Sequence, residues 1–199
     1  MMRTVKGFLD TVEGEALYVI AGKAGTFGPC LEIGSYCGKS TICIGAACKE
    51  TNSTLFTIDH HTGSEEQQPG EEYFDPDLFD FKNFQVDTFT TFRETLRQAD
   101  LLDTVVPLVC RSHVAARHWE TRLAMVFIDG GHAAKTVRLD YESWVHHIMP
   151  GGYLVFHDIF PNPAEGGQAP YDMYQAALSS GRFHEEPMIK TLGILRRKL

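Results

Sequence analysis

Two apolar runs in this 199-residue chain each stop on groups able to do chemistry: "VFIDGGH" (126–132) ends on Asp129, Gly130, Gly131 and His132, and "YLVFHD" (153–158) ends on His157 and Asp158. If the runs are neighbouring parallel strands, about 4.8 Å apart, Asp129 and Asp158 converge on one divalent cation and share its charge instead of repelling each other. A bound cation lowers the pKa of a coordinated hydroxyl or water and so makes its oxygen nucleophilic. The glycines at 130 and 131 let the chain turn tightly and bring His132 toward the same face, where an imidazole with a reference pKa of about 6.5 suits a general base. The competing reading is a strand-to-helix turn in which Asp129 is solvated and His132 caps the next helix. His157 is a candidate ligand of another kind, because magnesium prefers oxygen while imidazole suits zinc, iron, nickel or copper. Strand alternation, however, directs His157 and Asp158 to opposite faces.

A second group of residues gathers around "LEIGSYCGKST" (31–41). Its glycines allow a close backbone approach to a ligand, and the helix that follows presents its N-terminus there. The spacing is not GxGxxG, so the dinucleotide fingerprint is weak. Asp59 ends the next apolar run 25 residues beyond Gly34, where an acid accepts hydrogen bonds from ribose hydroxyls. His60 follows it at the same edge, and Arg111 with Ser112 end a further run.

These tips need a scaffold, and the periodicity supplies one. "PCLEIGSY" (29–36) reads as a strand, "GKSTICIGAACKE" (38–50) as a helix and "STLFTID" (53–59) as a strand, a right-handed βαβ unit. Helix near 88–100, strand 105–110, helix 113–119, strand 123–129, helix 135–148, strand 152–158 and helix 168–180 continue the alternation. Two strand-like segments, "RFHEEPMIK" and "TLGILRRKL", close the chain with only a turn between them, which forces antiparallel pairing. The expectation is a single α/β domain over 1–199, with a doubly wound, mostly parallel seven-stranded sheet and an antiparallel C-terminal strand. Residues 60–87 break the pattern, with eight acids between 62 and 87 against Lys82 alone. A loop of this length serves as a lid or binding loop, or else is disordered. Phe74, Leu78, Phe79 and Phe81 favour a lid that packs on something.

A net charge of −8 argues against a general nucleic-acid binder, whose affinity rests on Lys and Arg releasing counterions. No run approaches a membrane span, and "MMRTVKGFLDTVEGE" lacks the pattern of a signal peptide. Five cysteines without a CxxC pair point to reduced thiols and a cytoplasmic protein. The aromatics of the lid suit either a small-molecule substrate or a second subunit, which leaves a homo-oligomer open.

The stretches "LEIGSYCGKST", "FTID", "VFIDGGHAAKTVRLDYESW" and "PGGYLVFHD", spread from 31 to 158, together resemble the class I S-adenosylmethionine-dependent methyltransferases. The likeness is to the small O-methyltransferase group related to macrolide-sugar O-methyltransferases and to proteins named for cephalosporin hydroxylation. IDGGH followed some 25 residues later by GG-x-L-V-F-H-D is its most specific part. The resemblance implies that Glu32, Gly34, Ser35, Gly38 and Ser40 surround the methionine end of the cofactor, that Asp59 holds the ribose, and that Arg111 and Ser112 flank the adenine. It places Asp129 below the sulfonium and, with His157 and Asp158, facing the substrate and a divalent metal, magnesium or a transition metal. His132 falls where relatives place a catalytic histidine, and some relatives carry a carboxylate where this chain has His157. The implied function is methyl transfer to a hydroxyl of a small molecule. Two other readings stand beside it. An NAD(P)-dependent oxidoreductase on a related sheet is weakened by the absent GxGxxG and the antiparallel hairpin. A module that binds the cofactor without turnover is weakened by Asp129, His132 and Asp158 occurring together.

Overall fold

Cys30–Ile33 are buried at all four positions, as a strand covered on both faces must be, and they form β1. The computed structural model describes residues 2–199. Ahead of β1 lies α1 (Thr11–Gly25), and after it come α2 (Lys39–Glu50), β2 (Leu55–Asp59), β3 (Phe79–Asp80), β4 (Gln85–Val86), α3 (Phe89–Gln98) and β5 (Val105–Val109). The chain continues through α4 (Ser112–Ala115), β6 (Leu123–Ile128), α5 (Ala134–Trp144), β7 (Ile148–Phe156), α6 (Ala169–Ser179), β8 (Phe183–Glu185) and β9 (Gly193–Arg197). The main sheet has seven strands in the order β5-β2-β1-β6-β7-β9-β8. β5, β2, β1, β6 and β7 run parallel, and β9 pairs antiparallel with both β7 and β8. The expected fold class and antiparallel closing hairpin are both present.

Alternation along the strands divides the core in two. Cys30, Met125, Phe127 and Val155 pack with Leu17 and Ala21 of α1, Ile44 and Ala47 of α2, and Phe92 and Leu96 of α3. Leu31, Val126, Ile128, Leu154 and Phe156 point the other way, onto Tyr141 and Trp144 of α5 and Tyr174 and Ala177 of α6. Register then levels the strand ends. Ile33 is opposite both Ile58 and Ile128, and Ile128 is opposite Phe156. Gly34, Asp59, Asp129 and His157, each within one residue of those partners, therefore lie side by side at the carboxyl edge, where open parallel sheets bind ligands.

Several element boundaries differ from the sequence expectation. α1 was not legible as an element because apolar residues occupy both of its faces: Leu17 and Ile20 are buried while Val12 and Val19 are exposed. It starts at a capping box in which Asp10 accepts from Val12 N–H and Glu13 accepts from Asp10 N–H. The helix expected at 113–119 is a four-residue turn, α4, followed by 3-10 geometry at Ala116–His118. The helix expected to reach 148 stops at Trp144, and β7 begins earlier, at Ile148, with the register against β6 shifting between Leu123 and Met125. Gly151, at a φ of +78°, lies in that irregular stretch.

The segment 60–87 is packed rather than extended. Its ends are tied together at His61, whose ring lies 5.0 Å from Phe89 and 5.1 Å from Phe92, and whose Nδ1 meets Thr88 Oγ1 at 2.7 Å. Leu78 and Val86 are buried against Cys37, with Phe74 and Phe79 around them. Lys6 pins the segment from outside, its Nζ 2.6 Å from Asp75 Oδ2 and 2.8 Å from Asp77 Oδ2. These surface pairs contribute about 0–1 kcal/mol. Lys6→Ala is accordingly expected to speed limited proteolysis within 64–87 while moving the melting temperature by about 3 °C at most. An unchanged cleavage rate would show that Lys6 does not hold the segment down.

Candidate active site

The tip of β1 is built on a backbone contact. Gly34 has a φ of +85°, and a Cβ there would lie 2.1 Å from the carbonyl oxygen of Asp129, so only glycine lets the two strand ends meet. Asp59 holds the turn in place: Oδ2 accepts from the amides of Ser35 at 3.0 Å and Tyr36 at 2.8 Å, and Oδ1 accepts from His61 N–H at 2.7 Å. Gly38, at a φ of +92°, precedes the first turn of α2. Glu32 is fully buried with Oε2 accepting from Thr41 Oγ1 at 2.5 Å, while among the described residues its Oε1 and the Ser35 hydroxyl meet no partner. Burial pushes the Glu32 carboxyl up to about 8 against the pull of the Ser40 and Thr41 hydroxyls. Thr57 Oγ1 and His147 Nε2 are likewise unpaired among the described residues, and leaving such buried atoms without a partner is costly.

One expected contact is arranged differently. The Ser112 hydroxyl turns inward and accepts from Trp144 Nε1 at 2.7 Å, while Arg111 is exposed, so of this pair only Arg111 presents its side chain to solvent at the edge. His60 remains at the edge with Nδ1 2.7 Å from Thr62 Oγ1.

The second half of the site is a chain of alternating acids and imidazoles. His157 Nδ1 lies 3.0 Å from Asp129 Oδ1 and 3.4 Å from Asp158 Oδ2, and its Nε2 lies 3.2 Å from Glu13 Oε2. Strand alternation does not separate His157 from Asp158 as expected, because Asp158 sits in the left-handed region at a φ of +56° and swings its carboxylate back to the same side. Aspartate is one of the few residues that tolerates this conformation. Asp158 Oδ2 also meets His132 Nε2 at 3.0 Å, and His132 Nδ1 meets Glu66 Oε2 of the segment 60–87 at 3.1 Å. Burial alone would lower His157, yet Asp129, Asp158 and Glu13 together carry it well above its ordinary value. Asp158 is raised by burial and lowered further by both histidines, ending well below the carboxylate range. The Asp158 hydrogen bond, opposed by burial and aided by Glu66, lifts His132 to about 9.

Asp129, His157 and Asp158 each offer one ligand atom, all within 4.8 Å of one another. A histidine held by a carboxylate on one nitrogen, with the other aimed at two further carboxylates, has the donor chemistry of a metal site. Glu13 and Glu66 are the site residues that sequence reading missed. Asp10-x-x-Glu13 is readable as a capping box, but nothing local directs that acid to a residue 144 positions later.

A family model described as "Methyltransferase domain" matches residues 31–159. Among solved structures, the O-methyltransferase NovP superposes with a TM-score of 0.70 at 16% identity, over 94% of this chain and 80% of that one. The methyltransferase PaMTH1 of Podospora anserina, bound to SAH, gives 0.68 at 16% identity, over 100% and 85%. TomG of Streptomyces achromogenes, an O-methyltransferase involved in tomaymycin synthesis and in complex with SAM, gives 0.65 at 15%, over 96% and 82%.

Proposed function

The chain belongs to this methyltransferase-domain family, and from that premise we propose that it is an S-adenosylmethionine-dependent O-methyltransferase acting on a small molecule with the help of a divalent cation. The observation that carries this is the level carboxyl edge, where the orphaned Glu32 Oε1 and Ser35 Oγ stand beside the acids and imidazoles of the neighbouring tips. In this reading S-adenosylmethionine supplies a sulfonium methyl, and the cation makes the acceptor hydroxyl nucleophilic at neutral pH. Glu32, Gly34, Ser35, Gly38 and Ser40 bind the methionine end, the first turn of α2 offering its free amides. Asp59 holds the glycine turn in register and, with His60, borders the ribose; Arg111 and the backbone at Ser112 border the adenine. Asp129 would face the transferred methyl group and, with His157 and Asp158, would hold the cation. His132 would be the group that accepts the proton released by the acceptor hydroxyl as its oxygen takes the methyl and the sulfur keeps the electron pair of the broken carbon–sulfur bond.

The acceptor's walls are the lid and the segment 159–174. Phe8 and Tyr73, in edge contact at 5.2 Å, add aromatic surface that suits a phenol or sugar ring. No helix among the described residues is long and apolar enough to cross a membrane, and all five cysteines are unpaired. Free thiols suit a reducing compartment such as the cytoplasm, and small molecules are the partners in this reading.

Titration calorimetry tests the reading. S-adenosylhomocysteine is expected to bind at micromolar affinity and to raise the melting temperature. Asp59→Ala is expected to weaken it at least about tenfold, because three backbone amides of the cradle lose their acceptor. Binding of NAD with none of S-adenosylhomocysteine would overturn the assignment in favour of an oxidoreductase. Transfer of labelled methyl to phenolic or sugar acceptors then separates an enzyme from a module that only binds.

A further inference from the structure

We infer that Glu13, on the first turn of α1, is the positioning residue of the cation site and gives it a preference for transition metals over magnesium. The inference rests on the cation reading proposed above and concerns how this chain's own residues set its selectivity.

Glu13 is 3% exposed, and both of its oxygens are committed. Oε1 accepts from Thr191 N–H at 2.9 Å and from Thr191 Oγ1 at 2.7 Å, while Oε2 accepts from Asp10 N–H at 3.2 Å and faces His157 Nε2 at 3.2 Å. A buried carboxylate is costly unless it is fully paired, and here the pairing fixes its plane. Three donors, Thr191 N–H, Thr191 Oγ1 and Asp10 N–H, already point at its oxygens, so the group serves as an acceptor. An acceptor-only group beside Nε2 requires that nitrogen to carry a proton. With a cation present, the remaining lone pair is then on Nδ1, directed to the side where Asp129 Oδ1 and Asp158 Oδ2 lie at 3.0 and 3.4 Å. Carboxylate–histidine–metal arrangements hold the tautomer and ring orientation in this way. Two carboxylates with one imidazole disfavour magnesium, which prefers oxygen donors, and suit cobalt, nickel, iron or zinc.

Glu13→Gln probes the tautomer specifically. Its single amide oxygen stays with the two Thr191 donors, which turns the NH2 toward His157 Nε2 and leaves Asp10 N–H without its side-chain acceptor, a loss confined to the cap of α1. That nitrogen must now accept, so the imidazole proton moves to Nδ1 and blocks the ligand position. With the full-length protein, calorimetry using cobalt, zinc and magnesium chlorides is expected to give cobalt and zinc affinities about 100-fold above magnesium. Glu13→Gln is expected to lower cobalt affinity about 10- to 100-fold and to change the visible absorption band of the bound cobalt. Its circular dichroism and its affinity for S-adenosylhomocysteine should match wild type. Adding His157→Asp to Glu13→Gln should shift the preference to magnesium, because the introduced amide donates to the introduced carboxylate and the donor set becomes all oxygen. Should Glu13→Gln fail to fold, nitrogen NMR of wild-type histidines with zinc decides the matter: a proton on Nε2 with a metal-shifted Nδ1 supports the inference, and the reverse tautomer overturns it.

Unchanged cobalt affinity and spectrum in Glu13→Gln would remove Glu13 from the site, and equal affinity of wild type for magnesium and cobalt would overturn the selectivity. If no cation binds while S-adenosylhomocysteine still does, the inference and the cation part of the proposed function both fall, and the methyltransferase reading stands.

Discussion

Gly34→Ala is expected to lower the melting temperature by about 10 °C and to abolish S-adenosylhomocysteine binding. At a φ of +85° an added Cβ would approach the Asp129 carbonyl oxygen to 2.1 Å, its carbon to 2.6 Å and Gly130 Cα to 2.9 Å. The left-handed conformation alone costs a residue with a side chain about 1–2 kcal/mol. The contacted atoms are backbone of the adjoining strand end, so no rotamer change relieves them and the tips of β1 and β6 must part. Together these effects place the loss at about 3–5 kcal/mol, the large tail of single substitutions. For a chain of this size each kcal/mol moves the midpoint by about 2–4 °C. Binding fails for a separate reason, since the tips that part carry the cradle and Asp129 at once. Gly22→Ala is the matched control: nothing lies within 4 Å of its Cβ position in α1, and helix propensity alone should raise stability by about 0.5–1 kcal/mol. A Gly34→Ala protein that melts and binds like wild type would show that the strand tips do not meet as described.

His132→Ala is expected to reduce turnover by about 10² to 10⁴ with S-adenosylhomocysteine affinity preserved, the size of losing a general base. The pH dependence carries more information than the loss itself. His132 is raised to about 9, first by its hydrogen bond to Asp158 and then by Glu66. Only its neutral form can take a proton, so wild-type turnover should climb with pH as His132 deprotonates, and Glu66→Gln, which removes an acceptor that favours the charged ring, should move that limb to lower pH. Stability runs the opposite way. A folded pKa above the unfolded value of about 6.5 means that the contribution of His132 is complete below pH 6.5 and is lost as pH rises through about 9. The metal-free protein should therefore become less stable between those values, and His132→Ala should flatten the slope. A variant with full activity and an unaltered pH profile would leave His132 as a link between Asp158 and the lid.

The run of parallel strands and the gathering of their polar tips were legible because each apolar run is short, bounded by turn residues and ended by an acid or glycine, whereas the order of the strands across the sheet came only from the structure. "FTID", "VFID" and "VFHD" need only a parallel sheet to bring Asp59, Asp129 and Asp158 to one edge. The segment 60–87 was legible as a long acidic stretch without period; of the apolar residues expected to pack in it, Leu78, Phe74 and Phe79 gather around Cys37, but Phe81 stands exposed, since the short β3–β4 turn carries it outward. Helix α1 was not, since apolar groups on both faces erase the 3.6-residue signal on which such readings depend.

What chain-local patterns cannot carry is direction in space. The period-2 rule sent His157 and Asp158 apart, and one left-handed residue, Asp158, reversed that by turning the chain after β7 ended. Asp59 has the position of a ribose partner in sequence, yet in the fold its oxygens hold three amides of its own loop and the next one. Glu13 and Glu66 join the site only because α1 packs under the sheet edge and the segment 60–87 folds back to it, contacts separated by 144 and 66 positions in the chain. Residue type and spacing decided which groups reach the edge; the packing of α1 and of the segment 60–87 decided which of them share protons, because that depends on distances of about 3 Å, the range of a hydrogen bond, between groups that no local pattern connects.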